Sequence, residues 1–178
     1  MKKILTALSV LTFASAAGSL AVTVLNTSSQ KNDVLNNKTQ QDTIYIDENG
    51  KKVITNKHNL SYIKTTKITQ IGFYKNDQGE IQVVNMPITI KEVPEQLPSE
   101  ITSLSYMFAD ATSFNQDLSK WDVSNVTNMN NMFSNAWVFN QDLSKWNVSN
   151  VMKYEGFSFD SGIHNSNKLP KFKKFLII

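Results

Sequence analysis

The chain has 178 residues, a formal net charge of +3 and no cysteine, so disulfides, cysteine nucleophiles and thiolate metal sites are excluded. All 18 basic residues are lysine, and the absence of arginine, the usual reader of guanine edges and phosphates, counts against nucleic-acid binding. The only histidines, His58 and His164, lie far apart without a ligand pattern, so we predict neither a metal site nor a cofactor.

The N-terminus has the pattern of an export signal. Lys2 and Lys3 precede an uncharged run over residues 4–25, which predicts an N-terminal apolar helix. Small residues at 14–16 would suit a signal peptidase, whereas the run also has the roughly 20 residues that cross a bilayer. We therefore predict a signal peptide or signal anchor over residues 1–25. The rest would be extracellular or at the cell surface, anchored in the plasma membrane if the signal stays uncleaved.

Two further segments precede the most distinctive part of the sequence. Residues 26–42 hold too little apolar surface to offset the entropy of ordering, which predicts a flexible polar stalk. Residues 43–91 contain two pairs of β-prone runs, each pair joined by a glycine-containing turn, which predicts a β-hairpin region. The acidic residues of these turns lack the spacing of a calcium loop. The paired runs are residues 43–46 with 52–55, and residues 71–74 with 81–84.

A tandem repeat is the most specific signal in the chain. Residues 114–126 and 139–151 are offset by 25 residues and differ only at Asp122 against Asn147. The apolar register extends this pattern to three units over residues 92–170, with a basic and apolar tail following at 171–178.

The spacing inside a unit leads to a fold prediction. The period-2 step at Trp121 and Val123 predicts a short strand, and the three-residue spacing that follows predicts helical turns. The predicted fold class is mainly β with short helical turns, a leucine-rich-repeat-like solenoid of about three 25-residue coils. Recurring apolar residues are predicted to fill its core: Met107, Ala111, Trp121, Met129, Met132, Ala136 and Trp146.

The segment Trp121 to Phe133, W-D-V-S-N-V-T-N-M-N-N-M-F, resembles the repeat core of the BspA-like leucine-rich-repeat surface proteins. It is similar to the branch that is abundant in mycoplasmas and is encoded by palindromic repeat elements. The resemblance covers about residues 92–170 and implies short parallel strands, a cell-surface role, and adhesion or ligand binding without catalytic residues. This chain departs from the many lipoprotein relatives because it has no cysteine for lipid attachment.

The function predicted is a non-enzymatic, surface-exposed or secreted repeat protein that mediates adhesion or ligand binding, with a host or cell-surface protein or glycan as partner. One alternative is a truncated or recombining repeat cassette that serves antigenic surface variation. Another is a surface hydrolase with Asp117 and Asp142 as a carboxylate pair, although a structural ladder is the favoured role for these residues and for Asn115 and Asn140. The candidate binding strip consists of the outward positions Ser119, Lys120, Asp122, Ser144, Lys145 and Asn147.

Overall fold

The structure is a computed structural model that describes residues 38–173. Six short strands form two antiparallel sheets of three strands each, in the orders β1-β5-β6 and β3-β2-β4. Among these residues, no helix has the length and apolarity needed to cross a membrane. The strands are β1 Gln40–Gln41, β2 Thr43–Ile46, β3 Lys52–Thr55, β4 Lys67–Gln70, β5 Phe73–Lys75 and β6 Ile81–Val83.

The first predicted hairpin is confirmed by the pairing of β2 with β3, which runs from Thr43 opposite Thr55 to Ile46 opposite Lys52. Its turn is held by the Asp47 carboxylate, which accepts backbone N–H groups of Asn49 and Lys51 at 2.9 Å. Gly50 completes the turn with a φ of 77°, a value that glycine adopts without steric cost. Asp47 therefore acts in turn chemistry, as the sequence predicts.

The second predicted hairpin is confirmed by the pairing of β5 with β6, with Phe73 opposite Val83. β4 is an addition that the sequence analysis missed, and it pairs with β2. β1 pairs with β5 although it lies within the segment predicted to be a stalk. Ordered pairing therefore begins at Gln40 among the residues that the structure describes.

Beyond β6 the repeats stack as three layers, joined by isolated parallel bridges between equivalent residues. Ser103 bridges to Asn128, and Asn128 bridges to Lys153. We call residues 103–127 layer 1, residues 128–152 layer 2 and residues 153–173 layer 3.

The layers are joined by a regular pattern of backbone hydrogen bonds. In layers 1 and 2, alternate N–H groups donate to carbonyl oxygens of the following layer at 2.7–3.0 Å. The intervening N–H groups close turns on the carbonyl three residues back, as Met132 does on Met129. Both sets of donors are thereby satisfied without a strand or a helix. The donors to the following layer are Leu104, Tyr106, Phe108 and Asp110 in layer 1, and Met129, Asn131, Phe133 and Asn135 in layer 2.

Two positions in each layer have a left-handed backbone. The first is occupied by Tyr106, Asn131 and Gly156, with φ of 58°, 52° and 61°. The second is occupied by Asp110, Asn135 and Asp160, with φ of 60°, 59° and 51°. Asn, Asp and Gly tolerate this conformation best, which explains their recurrence. Because the backbone changes hand at these positions, a turn cannot continue into a helix.

The predicted leucine-rich-repeat-like solenoid with short strands and helical turns is wrong. Within residues 38–173 there is no helix, and every strand belongs to the antiparallel sheets at 40–83. Trp121 and Val123 are buried as predicted but form no strand, because each lies beside a turn, with the Trp121 N–H bonded to the Leu118 carbonyl. The predicted N-terminal apolar helix lies outside the residues that the structure describes.

The core of the layers is built on stacked phenylalanines. Phe108 stacks on Phe133 with ring centroids 5.5 Å apart, and Phe114 stacks on Phe139 at 5.8 Å. The predicted core roles are confirmed for the recurring Met, Ala and Trp residues, all buried. The Trp indole N–H groups donate to the carbonyls of Pro94 and Leu118 at 3.1 and 3.0 Å, as buried indoles require. The core residues concerned are Met107, Ala111, Trp121, Met129, Met132, Ala136 and Trp146.

Candidate functional site

The structure places the predicted binding strip at the surface, but part of it holds turns together. Asp122 accepts the Ser124 N–H at 2.9 Å, and the Asn147 side-chain oxygen accepts the Ser149 N–H at 3.2 Å. Short polar side chains commonly fix turns in this way. These two members of the strip are therefore needed by the scaffold itself. Five members are exposed and one, Ser144, is half-buried: Ser119, Lys120, Asp122, Lys145 and Asn147 are the exposed ones.

The lysines are the members of the strip that are most available to a ligand. Lys120 lies 3.5 Å from Glu95 of the preceding repeat, and both side chains are more than three-quarters exposed, at 76% and 79%. Such an exposed ion pair contributes about 0–1 kcal/mol, so Lys120 can exchange it for a ligand at little cost. Lys145 occupies the equivalent position one repeat later and is also exposed. The strip therefore offers two cations in register.

Asp117 and Asp142 are used as turn anchors. The Ser119 N–H donates to the Asp117 carboxylate at 2.8 Å, and the Ser144 N–H donates to Asp142 at 2.9 Å. The backbone N–H of Ser119 lowers the pKa of Asp117, and the side chain of Ser144 lowers the pKa of Asp142. Both carboxylates are therefore ionised at neutral pH. A glycosidase pair needs one carboxyl group that keeps its proton, which neither residue provides.

Asparagine side chains form the predicted ladder between neighbouring repeats. The Asn140 N–H donates to the side-chain oxygen of Asn115 at 2.9 Å. The Asn150 amide donates to the Ser124 carbonyl of the preceding layer at 2.7 Å. The structural role predicted for Asn115 and Asn140 is thus confirmed, and these side chains fix the register of the layers.

A carboxylate that the sequence analysis did not single out joins the second hairpin to the layers. Glu80, in the turn between β5 and β6, accepts hydrogen bonds from Lys153 at 3.0 Å and from the Asn128 amide at 3.2 Å. The Asn76 amide also donates to it at 3.0 Å. Burial alone would raise the pKa of Glu80, but the donated hydrogen bonds outweigh that effect and lower it. Glu80 therefore connects its hairpin to layers 2 and 3.

We predict that Glu80→Ala lowers the free energy of unfolding by about 1–3 kcal/mol, because it leaves Lys153 and Asn128 without an acceptor. Since the folded-state pKa of Glu80 is lowered, its stabilisation is present above the unfolded pKa and is lost as pH falls through the folded pKa. Urea unfolding from pH 7 downwards should show the difference between wild type and variant shrinking in acid. Glu95→Ala is the matched control, with an expected loss of about 0–1 kcal/mol. Equal losses for the two variants would contradict the role of Glu80.

Three large apolar side chains are exposed on neighbouring segments of layers 2 and 3. Trp137 is 65% exposed, Val138 48% and Phe159 54%. The two segments are joined by the Asn135 N–H, which donates to the Phe159 carbonyl at 2.8 Å. We call Trp137, Val138 and Phe159 the aromatic corner. Single exposed apolar residues are ordinary, but several on adjoining segments indicate an interaction surface.

The aromatic corner breaks the repeat. The positions equivalent to Trp137 are Thr112 and Gly162, so no recurring apolar position corresponds to it. Added at Gly162, a Cβ would lie 2.6 Å from the Phe139 carbonyl oxygen, which explains the glycine there. The sequence analysis attended to recurring residues and missed Trp137, although its departure from the register was the available signal.

Among residues 38–173 there is no group of three or more His, Asp or Glu side chains placed to hold a metal ion. No curated protein and no solved structure shows significant similarity to the chain. Residues 87–172, a little under half of the chain, match a family described as "Mycoplasma protein of unknown function, DUF285". The repeat-bearing part of the chain is therefore similar to this mycoplasma family.

Proposed function

We propose that this protein is a non-enzymatic repeat protein, displayed at the cell surface or secreted, that binds a host or cell-surface protein or glycan. The observation that carries the proposal is the aromatic corner. Trp137 is 65% exposed on a backbone that is held by hydrogen bonds between layers. Tryptophan is among the residues that contribute most to binding energy when a partner covers it, and here it is not needed for the core.

Two further observations support binding rather than catalysis. The anchoring hydrogen bonds keep the pKa values of Asp117 and Asp142 low, which argues against the hydrolase alternative. The resemblance of residues 92–170 to BspA-like surface repeats favours adhesion or ligand binding. The polar strip, with Lys120 and Lys145 exposed, is a second surface through which the partner would be held.

The proposed location rests on the export pattern of residues 1–25. Protease shaving of intact cells, followed by mass spectrometry of the released peptides, tests exposure. Peptides from the layers should be released from intact cells. If they appear only after lysis, the proposed surface location is wrong. Mapping the N-terminus of the mature protein decides between a cleaved signal and an anchor held by residues 4–25.

The binding prediction is that Trp137→Ala weakens saturable binding of the labelled protein to host cells by about tenfold or more, which corresponds to roughly 1.4 kcal/mol. The matched control is Tyr62→Ala, because Tyr62 is an aromatic side chain that is 91% exposed and lies outside the aromatic corner. A double variant, Lys120→Glu with Lys145→Glu, measures the share of the polar strip.

The outcomes separate the possible surfaces. A loss with Trp137→Ala and none with Tyr62→Ala supports the aromatic corner as the contact. A loss confined to the double lysine variant would move the binding site to the polar strip. Absence of saturable binding to host cells or to a host-cell extract would contradict the proposed function.

A further inference from the structure

The last layer has a row of backbone donors that repeats the internal donor rows. In layers 1 and 2 the equivalent N–H groups donate to the following layer at 2.7–3.0 Å. Within residues 38–173, the corresponding N–H groups of layer 3 meet no acceptor. We call this row the donor edge, and its members are Tyr154, Gly156, Ser158 and Asp160.

The donor edge has an unusual polarity. An ordinary β-strand alternates N–H and C=O groups along each edge, so it would leave part of this row unpaired. In the layers, by contrast, the acceptors of each layer face the preceding layer and the alternate donors face the following one. Only a segment that presents a row of carbonyl oxygens at the same spacing satisfies the whole edge. A further repeat segment in the same conformation does so.

Phe172 occupies the aromatic position that a further layer would fill. Its ring lies 5.1 Å from Phe157 and stacks on Tyr154 at 4.4 Å. Inside the layers, Phe157 packs against Phe133 at 5.4 Å, and Phe133 packs against Phe108 at 5.5 Å. The apolar end of layer 3 is therefore covered by a side chain from the following segment, whereas its backbone donors are not matched by carbonyl groups of that segment.

We propose that the donor edge is a docking site for a repeat segment of another polypeptide chain, one that carries the M-x-x-M-F pattern and has its own carbonyl row free. The incoming segment would add four N–H···O=C bonds and replace the ring of Phe172 with its own phenylalanine. The proposal extends an interface that the molecule already forms twice, between layers 1 and 2 and between layers 2 and 3.

A folded second copy does not complement this edge. Its first carbonyl row is already bonded, with the Val83 N–H on Ser103 at 3.0 Å and the Met86 N–H on Met107 at 2.9 Å. Its own donor edge would bring donors against donors. The partner is therefore a repeat segment that has not yet been paired within its own chain.

The first test is amide hydrogen exchange of the full chain, followed by NMR. The N–H groups of Gly156 and Ser158 should exchange at least about tenfold faster than those of Asn131 and Phe133, because unpaired amides lack the protection of a hydrogen bond. Equal protection of the two rows in the free protein would overturn the proposal, since the donor edge would then already be occupied.

The second test adds a synthetic peptide with the sequence of residues 123–139, which carries the carbonyl row and the phenylalanine of layer 2. The peptide should slow exchange of Gly156 and Ser158 by about tenfold or more, and Phe172→Ala should strengthen its binding because no ring has to be displaced. The control peptide carries Asn131→Pro and Asn135→Pro, which forbid the positive φ that the conformation needs.

The remaining outcomes are decisive as well. Equal binding of the control peptide would overturn the proposal, because recognition would not depend on the repeat conformation. So would protection of the donor edge by inorganic sulfate or a sulfated polysaccharide without peptide, which would make the edge an anion site. Protection that rises with the concentration of the protein itself would assign the edge to self-association instead. These measurements are independent of host-cell binding through Trp137, so failure of one proposal leaves the other standing.

Discussion

Replacing Phe133 with alanine should lower the free energy of unfolding by about 3–5 kcal/mol. Phe133 is fully buried and packs against Phe108 at 5.5 Å, Phe139 at 4.0 Å and Phe157 at 5.4 Å. It therefore joins three layers, and its removal would leave a cavity that its stacked neighbours cannot collapse to fill. Urea unfolding followed by circular dichroism measures the loss.

The matched control for this prediction is Phe159→Ala. Phe159 is 54% exposed, and we expect its replacement to change the free energy of unfolding by about 0.5 kcal/mol or less. If the two alanine variants were equally stable, the stacked phenylalanines would not be the core of the layers.

Asn131→Pro should lower the free energy of unfolding by about 3 kcal/mol or more. Proline fixes φ near −65° and has no N–H, whereas Asn131 has a φ of 52° and donates to the Glu155 carbonyl at 2.8 Å. The substitution therefore strains the backbone and removes a bond between layers 2 and 3. Thermal and urea unfolding of the purified variant measure this effect.

The control at the same position is Asn131→Gly. Layer 3 already has Gly156 at the equivalent position, so glycine fits the backbone and should cost about 1 kcal/mol or less through its greater freedom in the unfolded chain. A proline variant as stable as the glycine variant would show that the left-handed backbone at this position is dispensable.

The hairpins and the core could be predicted from local patterns. Alternation of apolar residues around the Asp47 turn was enough to predict β2 and β3. The 25-residue register was enough to assign Met129 and Trp146 to the core. These predictions succeeded because burial repeats with the sequence. What the spacing could not specify was the hand of the backbone at Asn131 and Asn135, since asparagine tolerates a left-handed conformation without requiring it.

The candidate site was predictable only where it follows the repeat. The outward positions of the polar strip, such as Lys120 and Lys145, follow from the register. The bond between Glu80 and Lys153 joins residues 73 positions apart, and no local pattern indicates it. Trp137 has no equivalent in the other layers, so a reading based on recurring residues could not assign it a role.

The identical contact between successive layers bears on how such a chain can change its length. A copied block of 25 residues would meet, on each side, a surface that is already complementary to it. Recombination within the coding repeat can therefore add or remove whole layers without the need for compensating substitutions. A block one residue longer or shorter would put a different side chain at the left-handed positions of Asn131 and Asn135 and would break the donor row. Growth of the protein is thus restricted to whole steps of its repeat.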